Sequence, residues 1–454
     1  MTEGFYPLTI KKLVRETADA TTFYFDIPTE LKDTFVYTAG QYLTFEVEIE
    51  GEKVRRSYSL CTYAGVDSDP AVTVKKVDMG KMSTYMNSVL KEGDVMQVMP
   101  PMGKFTLVPD ASRSQHYVLF GGGSGITPVL GIAKAVLAAE PNSQVTLVYA
   151  NRNPDSVIFK QVLTDMEKAN NGRFKVHHNY DSAPITYFGL KGMLSPDKVQ
   201  SIVKSKIGGS FDTYQYFICG PGPMMEVIKD GLKGLGVNPD HVHTEYFSAP
   251  TSKNAADEKP QQETDFAGVS QITLTVYGRT HTISCDQNTT ILNAAMKQGI
   301  DPPYSCTVGV CTTCRAKVTV GKLHMLEREG LSDAEIAEGY VLTCQSVPRS
   351  SEITLKYEKA YASSSPSIPG AVCVYFLILF SNWLKSSAKS LLKNIFSPVL
   401  GWMNPNSFAC NACLGISVKQ FSINGLNLGS AEPLRTSIPP YNSSEKSGCL
   451  MLKK

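Results

Sequence analysis

Four cysteines constrain this chain more than any other feature. Cys306, Cys311, Cys314 and Cys344 are separated by four, two and twenty-nine residues. A spacing of four and then two wraps three thiolates around one edge of a [2Fe–2S] cluster, and a remote fourth closes the site. Structural zinc favours two Cys-x-x-Cys hooks, and this stretch has one. The neighbours Ser305, Thr307, Gly309, Thr312 and Thr313 are small, which lets backbone N–H groups approach the cluster sulfurs. Cys285 falls outside the pattern and reads as a small buried residue. Eleven cysteines in 454 residues are too sparse for a disulfide framework, and thiolate ligands suit a reducing compartment, so a cytoplasmic protein is expected.

The length predicts about three domains at ~100–200 residues each. Residues 1–110 alternate apolar and polar positions in short runs (22–27, 42–49, 72–77) with frequent turn signals, the pattern of a small antiparallel β-barrel. From residue 111 to 247 the texture changes. Strands at 116–120, 144–150 and 214–219 alternate with an apolar helix at 128–139, which predicts a doubly wound parallel α/β sheet. Residues 248–269 carry Ser, Thr, Asn, Pro, Gln and charges without periodicity and read as a linker. A third unit spans 270–358 and opens with an alternating strand at 271–276.

The tail, 359–454, is of another composition. The whole chain carries 44 Lys and Arg against 42 Asp and Glu, a net charge of +2, which gives no case for nucleic acid as a partner. That balance hides 9 basic and 2 acidic residues after position 358 and 35 and 40 before it. The tail's apolar run, 371–384, is about 14 residues, short of the ~18–20 that span a membrane. A lysine-bearing amphipathic stretch, 383–396, has the pattern of a surface helix. Cys410 and Cys413 form a lone hook without a partner pair. The sharp change in composition favours a poorly ordered extension without membrane contact. The first residues lack the apolar core of a secretory signal.

Two further motifs carry chemistry. Arg56-Ser57-Tyr58-Ser59 ends a barrel strand and offers a cation for a pyrophosphate, an aromatic face for an isoalloxazine ring and a hydroxyl for N5. Gly80, Met82, Ser83 and Thr84 open a helical stretch whose N–H groups suit phosphate. In the second domain Gly121-Gly-Gly123-Ser-Gly125-Ile-Thr127-Pro128 follows a strand and opens a helix, a backbone that can approach a dinucleotide pyrophosphate. Proline stands where the ordinary fingerprint has its last glycine. After the second strand comes Asn151-Arg152-Asn153, with no acid before Asp155 to hold a ribose 2′-hydroxyl. Arg152 is therefore expected to pair with the 2′-phosphate of NADPH rather than to favour NADH.

These motifs resemble the ferredoxin–NADP reductase family, and residues 270–358 resemble a plant-type ferredoxin domain, including Asp301-Pro-Pro-Tyr-Ser-Cys306 and Leu342-Thr-Cys344-Gln345. The resemblance covers residues 1–358. Within the family, residues 54–60, 99–105 and 149–152 most resemble the reductase subunits of ring-epoxidising monooxygenases. The resemblance implies FAD rather than FMN, and it places Cys219, in Cys219-Gly220-Pro221-Gly-Pro, near the hydride-transfer position. It also implies that Glu245, in His243-Thr-Glu245-Tyr-Phe, lies beside the flavin. Ser59, Cys219 and Glu245 are the catalytic candidates. The implied activity is electron transfer from NAD(P)H through FAD and a [2Fe–2S] cluster to an acceptor protein, most naturally an oxygenase. A non-catalytic relay with vestigial nicotinamide binding is the alternative. The linker would let the ferredoxin unit dock at the flavin and swing to the acceptor.

Overall fold

The structure is a computed structural model that describes residues 2–247, 266 and 268–357. The expected linker, apart from its last residues, and the whole tail lie outside the described residues, as do the readings made on them.

The first domain has six antiparallel strands: β1 (Tyr6–Thr17), β2 (Ala20–Asp26), β3 (Tyr42–Ile49), β4 (Glu52–Ser59), β5 (Ala71–Lys75) and β6 (Val95–Val98), with α1 (Lys81–Ser88) between the last two. Their order is β4-β3-β6-β1-β2-β5, and a bridge from Leu60 to Val72 joins the outer two into a barrel. The alternation seen in the sequence supplies the filling: Phe23, Phe25, Leu43, Phe45, Val72 and Val74 are fully buried. β3 and β4 form a hairpin whose two turn residues, Glu50 and Gly51, both have positive φ (53° and 77°). That turn geometry matches the twist of the strands it joins.

The second domain is a parallel sheet of β7 (His116–Gly122), β8 (Gln144–Asn151), β9 (Phe174–Tyr180), β10 (Leu190–Lys191), β11 (Gln215–Gly220) and β12 (Val242–Tyr246), in the order β10-β9-β8-β7-β11-β12. Helices α2 (Ile126–Ala139) and α3 (Lys160–Ala169) pack on one face, and α4 (Pro196–Ile202) and α5 (Gly222–Gly234) on the other. The chain runs outward from β7 on one side and returns with β11 on the other. The carboxyl ends of β7 and β11 therefore form the switch point where such sheets bind ligands.

The third domain contains β13 (Val269–Val276), β14 (Arg279–Asp286), α6 (Ile291–Lys297), β15 (Arg315–Val320), β16 (Leu323–Met325), α7 (Asp333–Ala337), β17 (Tyr340–Leu342), β18 (Ser346–Pro348) and β19 (Glu352–Tyr357). Five of these strands form a mixed sheet, β14-β13-β19-β15-β17, in which β13 and β19 are parallel, the β-grasp-like arrangement expected of a ferredoxin domain. Cys285 lies in its core, 2% exposed. The three domains belong to one compact unit. Among the described residues no helix is long and apolar enough to cross a membrane.

Candidate functional site

The switch point brings together residues from all the motifs of the second domain. β11 lies between β7 and β12, so Cys219 stands in register with Gly121 on one side and Glu245 on the other. The glycine turn is held against this strand: a Cβ on Gly125 would lie 2.1 Å from the Cys219 carbonyl oxygen and 2.7 Å from the Gly220 nitrogen. Gly123 has φ of 52°, a conformation that suits glycine. The helix α2 begins at Ile126, whose N–H donates to the Gly123 and Ser124 carbonyls of the preceding glycine turn, and no side chain caps the helix start. Thr127 is buried and turns its hydroxyl back to the Ser124 carbonyl, 3.1 Å away. Pro221 is the N-cap residue of α5. The ends of β8 and β9 bury polar groups without hydrogen-bond partners, both amide atoms of Asn151 and Oδ1 of Asn179, as a dinucleotide crevice would leave them. Arg152 is largely exposed and pairs with Asp19 of the barrel at 3.6 Å.

Glu245 crosses from this sheet to the barrel. Its Oε2 accepts a hydrogen bond from Ser59 Oγ at 3.2 Å. Burial pushes its carboxyl up to about 8, with the Ser59 hydroxyl opposing the shift. Burial and the nearby Glu245 also raise the Cys219 thiol well above its ordinary value, so it is a neutral group at neutral pH. Ser59 and Cys219, both buried, and the half-buried Glu245 thus form one junction between the two domains.

The barrel residues divide by strand parity. Arg56 and Tyr58 share one face of β4, and Ser57 and Ser59 the other. The Tyr58 ring lies 6.0 Å from that of Phe45 at the edge of the barrel core. Arg56 is exposed. Gly80 is the N-cap of α1, again without a side-chain cap, so the first N–H groups face no protein acceptor from a capping residue. Met82 and Ser83 are buried; the Ser83 hydroxyl donates to the Gly80 carbonyl at 3.2 Å and accepts from the Val77 N–H at 3.2 Å. Thr84 is half-buried and anchors the helix through its N–H to the Gly80 carbonyl. An exposed cation, an aromatic ring and an uncapped helix start fit a flavin dinucleotide.

The four cluster cysteines converge. Cys306 is hydrogen-bonded to Cys311 and Cys344, and Cys314 to Cys344, with no disulfide between them. The Cys311 N–H points at Cys306 Sγ, 3.4 Å away. Thr307 (φ 60°) and Gly309 (φ 79°) turn the loop tightly, and a Cβ on Gly309 would lie 2.8 Å from that of Glu327. Ser305 and Thr313 are buried around the thiols. Three free thiols in a tight loop, with Cys344 brought to them from beyond β17, fit a [2Fe–2S] cluster.

Sequence reasoning passed over Tyr42, Glu46, Arg55, Lys104 and Glu335. It gave Ser57, Ser305, Thr312, Thr313 and Asp301 other roles than the one they share here, joining the iron–sulfur domain to the barrel. The Tyr42 hydroxyl lies 3.2 Å from Thr312 Oγ1 and 3.0 Å from Thr313 Oγ1, and the Tyr42 backbone pairs with Ser59. Ser57 Oγ donates to Ser305 Oγ at 2.8 Å. Arg55 is 1% exposed and pairs with Glu46 and Asp301, each at 2.7 Å. Lys104 pairs with Glu335. The available signal was the parity of β4: Arg55 lies on the same side as Ser57 and Ser59.

The barrel with its uncapped helix, the switch-point crevice and the four-cysteine loop together define a nicotinamide-dependent flavin and iron–sulfur reductase. Comparison with known proteins agrees. Residues 7–107 match the oxidoreductase FAD-binding domain, 119–230 the oxidoreductase NAD-binding domain and 274–349 the 2Fe-2S iron-sulfur cluster binding domain. The chain is 35% identical over 356 residues to a subunit of the 1,2-phenylacetyl-CoA epoxidase of Escherichia coli (strain K12), covering 78% of this chain and 98% of that protein. It is 33% identical over 353 residues to the ferredoxin reductase component of 3-ketosteroid-9-alpha-monooxygenase of Rhodococcus rhodochrous, covering 77% and 96%. In fold it is similar to an intact type IV self-sufficient cytochrome P450 monooxygenase, with a TM-score of 0.57 at 21% identity over 77% of this chain and 41% of that one. The chain belongs to the ferredoxin–NADP reductase family, in the branch with a C-terminal ferredoxin domain. It is an oxidoreductase that passes electrons from NAD(P)H through FAD and a [2Fe–2S] cluster.

Proposed function

We propose that this reductase serves a multicomponent oxygenase of the kind that epoxidises an aromatic acyl-CoA, with NADPH as donor, in the cytoplasm. The observation that carries the reading is the junction of Ser59, Cys219 and Glu245, set beside a cluster loop that touches the same barrel strands. A bound FAD would supply two-electron acceptance from a nicotinamide and one-electron donation, and a [2Fe–2S] cluster held by the four cysteines would supply one-electron transfer. The protein's part is alignment. Ser59 offers a hydroxyl at the flavin edge, and Glu245 holds a proton on its carboxyl. Cys219, small and uncharged, leaves room for a nicotinamide ring. Residues 121–127, with Gly220 and Pro221, cradle the pyrophosphate. Arg56 and the start of α1 at Gly80, Met82, Ser83 and Thr84 serve the flavin phosphates, and Tyr58 offers its ring an aromatic face. Ser57, on the opposite face of β4, is instead engaged with Ser305 of the cluster loop. Arg152 serves the 2′-phosphate once released from Asp19. Cys306, Cys311, Cys314 and Cys344 ligate the cluster. The oxygenase acceptor is supported by the relatives at 33–35% identity, which are components of an epoxidase and a monooxygenase. The cytoplasmic assignment is supported by the seven free cysteines among the described residues.

Anaerobic stopped-flow at the flavin absorbance band tests the donor side. Cys219→Ala is expected to slow flavin reduction while FAD stays bound. Arg152→Ala is expected to weaken NADPH more than NADH by about tenfold or more, since a charge-assisted contact is worth about 1.5–3 kcal/mol. An unchanged preference in the arginine variant would remove the phosphate role. Mixing the reduced protein with candidate oxygenases tests the acceptor.

A further inference from the structure

The interface between the barrel and the iron–sulfur domain is built around a buried cation. Arg55 Nε and Nη2 each lie 2.7 Å from Glu46 Oε2, on the neighbouring strand of its own domain. Its remaining partners come from the other domain: Nη2 reaches Asp301 Oδ2 at 2.7 Å and Nη1 reaches the Pro302 carbonyl at 3.3 Å. The Tyr304 ring lies 4.3 Å from the guanidinium, and the Phe5 ring 4.8 Å. A guanidinium without water must have its donors met. If the domains part, Arg55 loses Asp301, Pro302 and Tyr304 together and must be rehydrated. It therefore makes the docked position sharply defined.

That position bears directly on the cluster. Residues 301–305 run without a break into Cys306, and Ser305 at their end receives the Ser57 hydrogen bond. Tyr42 meets Thr312 and Thr313, between Cys311 and Cys314, while its backbone pairs with Ser59. One rigid hairpin, β3–β4, thus carries the flavin-side hydroxyl, the contacts to the cluster loop and the cation. Electron transfer falls off steeply with distance, so the register of this hairpin against residues 301–313 governs the rate.

We propose that Arg55 is a positioning residue for flavin-to-cluster electron transfer: held by Glu46 on the barrel, it clamps Asp301, Pro302 and Tyr304 and so fixes the cluster loop against β3–β4. The proposal rests on the serial order of flavin and cluster. Removal of Arg55 would leave Glu46 with Lys53, 3.7 Å away, as its cation, so the main variant is Asp301→Asn. The Asp301 side chain is 37% exposed and also meets Lys53 Nζ at 3.3 Å. Lys53→Met, which removes only that outer contact, should leave cluster reduction within twofold of wild type, and an equal loss there would overturn the role of Arg55. Hydrogen exchange on the full-length protein should show residues 2–5 and 301–305 exchanging about tenfold faster in Asp301→Asn, with the strands of the third domain unchanged. Stopped-flow should show flavin reduction by NADPH within twofold of wild type and cluster reduction slowed about tenfold. Asp301→Glu should recover most of the rate, and Arg55→Lys should fall between. Wild-type exchange and cluster reduction in Asp301→Asn would overturn the clamp. Faster exchange throughout β13, β15 and β19 would also overturn it, as a merely structural contact. A matching loss of flavin reduction with the interface intact would also overturn the clamp, by placing the defect at hydride entry, whereas cluster reduction that ran ahead of flavin reduction would overturn the serial order instead.

Discussion

Glu245 shows how one residue can report on its surroundings. Burial raises its carboxyl to about 8, far above the ordinary 4.5. Between those values the folded protein keeps a proton that the unfolded chain gives up, so stability is fullest below about 4.5 and falls as pH rises toward 8. Glu245→Gln is expected to flatten that slope: the urea midpoint should drop less between pH 5 and pH 9 than in wild type. Equal slopes would show that the carboxyl is not held protonated. Glu245 was legible as a candidate through the family likeness, but its protonation was not, because burial depends on β11 and the barrel meeting around it. Arg152 and Ser83 were legible only as residue types. That Arg152 pairs with Asp19, and that Ser83 closes its own turn, are facts of tertiary packing.

At the scale of elements, periodicity and glycine punctuation placed the seven strands read from the sequence within two residues of their observed ends, because strand alternation and the Gly-rich turn are local properties. The other twelve among the described residues, short or without clean alternation, were given no bounds. The outer face of β4 was not legible. In an isolated barrel the alternating position of Arg55 would be solvated, and it becomes interior only when the iron–sulfur domain covers it. The glycine turn offers a direct test. A Cβ on Gly125 would press on backbone atoms of β11, which cannot rotate away. Gly125→Ala should therefore destabilise the protein by about 1–3 kcal/mol. It should also weaken NADPH binding, measured by titration of the oxidised protein. A variant of wild-type stability and affinity would show that the turn yields freely. By contrast, Gly51 has open space where its Cβ would be, although its positive φ still favours glycine.

Over the whole molecule, the order of barrel, nucleotide domain and ferredoxin domain could be read because each has its own texture and motif. The domain interface could not, since its hydroxyls and charges look like ordinary surface residues until Tyr42 meets Thr313 and Ser57 meets Ser305. If Cys314 ligates the cluster as proposed, Cys314→Ala should abolish electron delivery to cytochrome c while flavin reduction by nicotinamide persists. Equal loss of both in a folded variant would contradict a serial path. Truncation after residue 358 should leave a protein whose flavin and cluster are fully reducible, since every cofactor motif ends before it. Iron and acid-labile sulfide content of the shortened chain checks this, and loss of the cluster would make the tail part of the fold.

The missing side chain at Gly125 also bears on how such an enzyme can change its coenzyme. The turn proposed to receive the pyrophosphate leans on the backbone of Cys219 and Gly220, with no space for a side chain between them. A substitution that reshaped the pyrophosphate end would disturb the nicotinamide end as well. On the role proposed for Arg152, adaptation from one coenzyme to the other would be channelled to the exposed pair of Arg152 and Asp19, away from that contact. Selection on donor preference in this lineage should leave its record there.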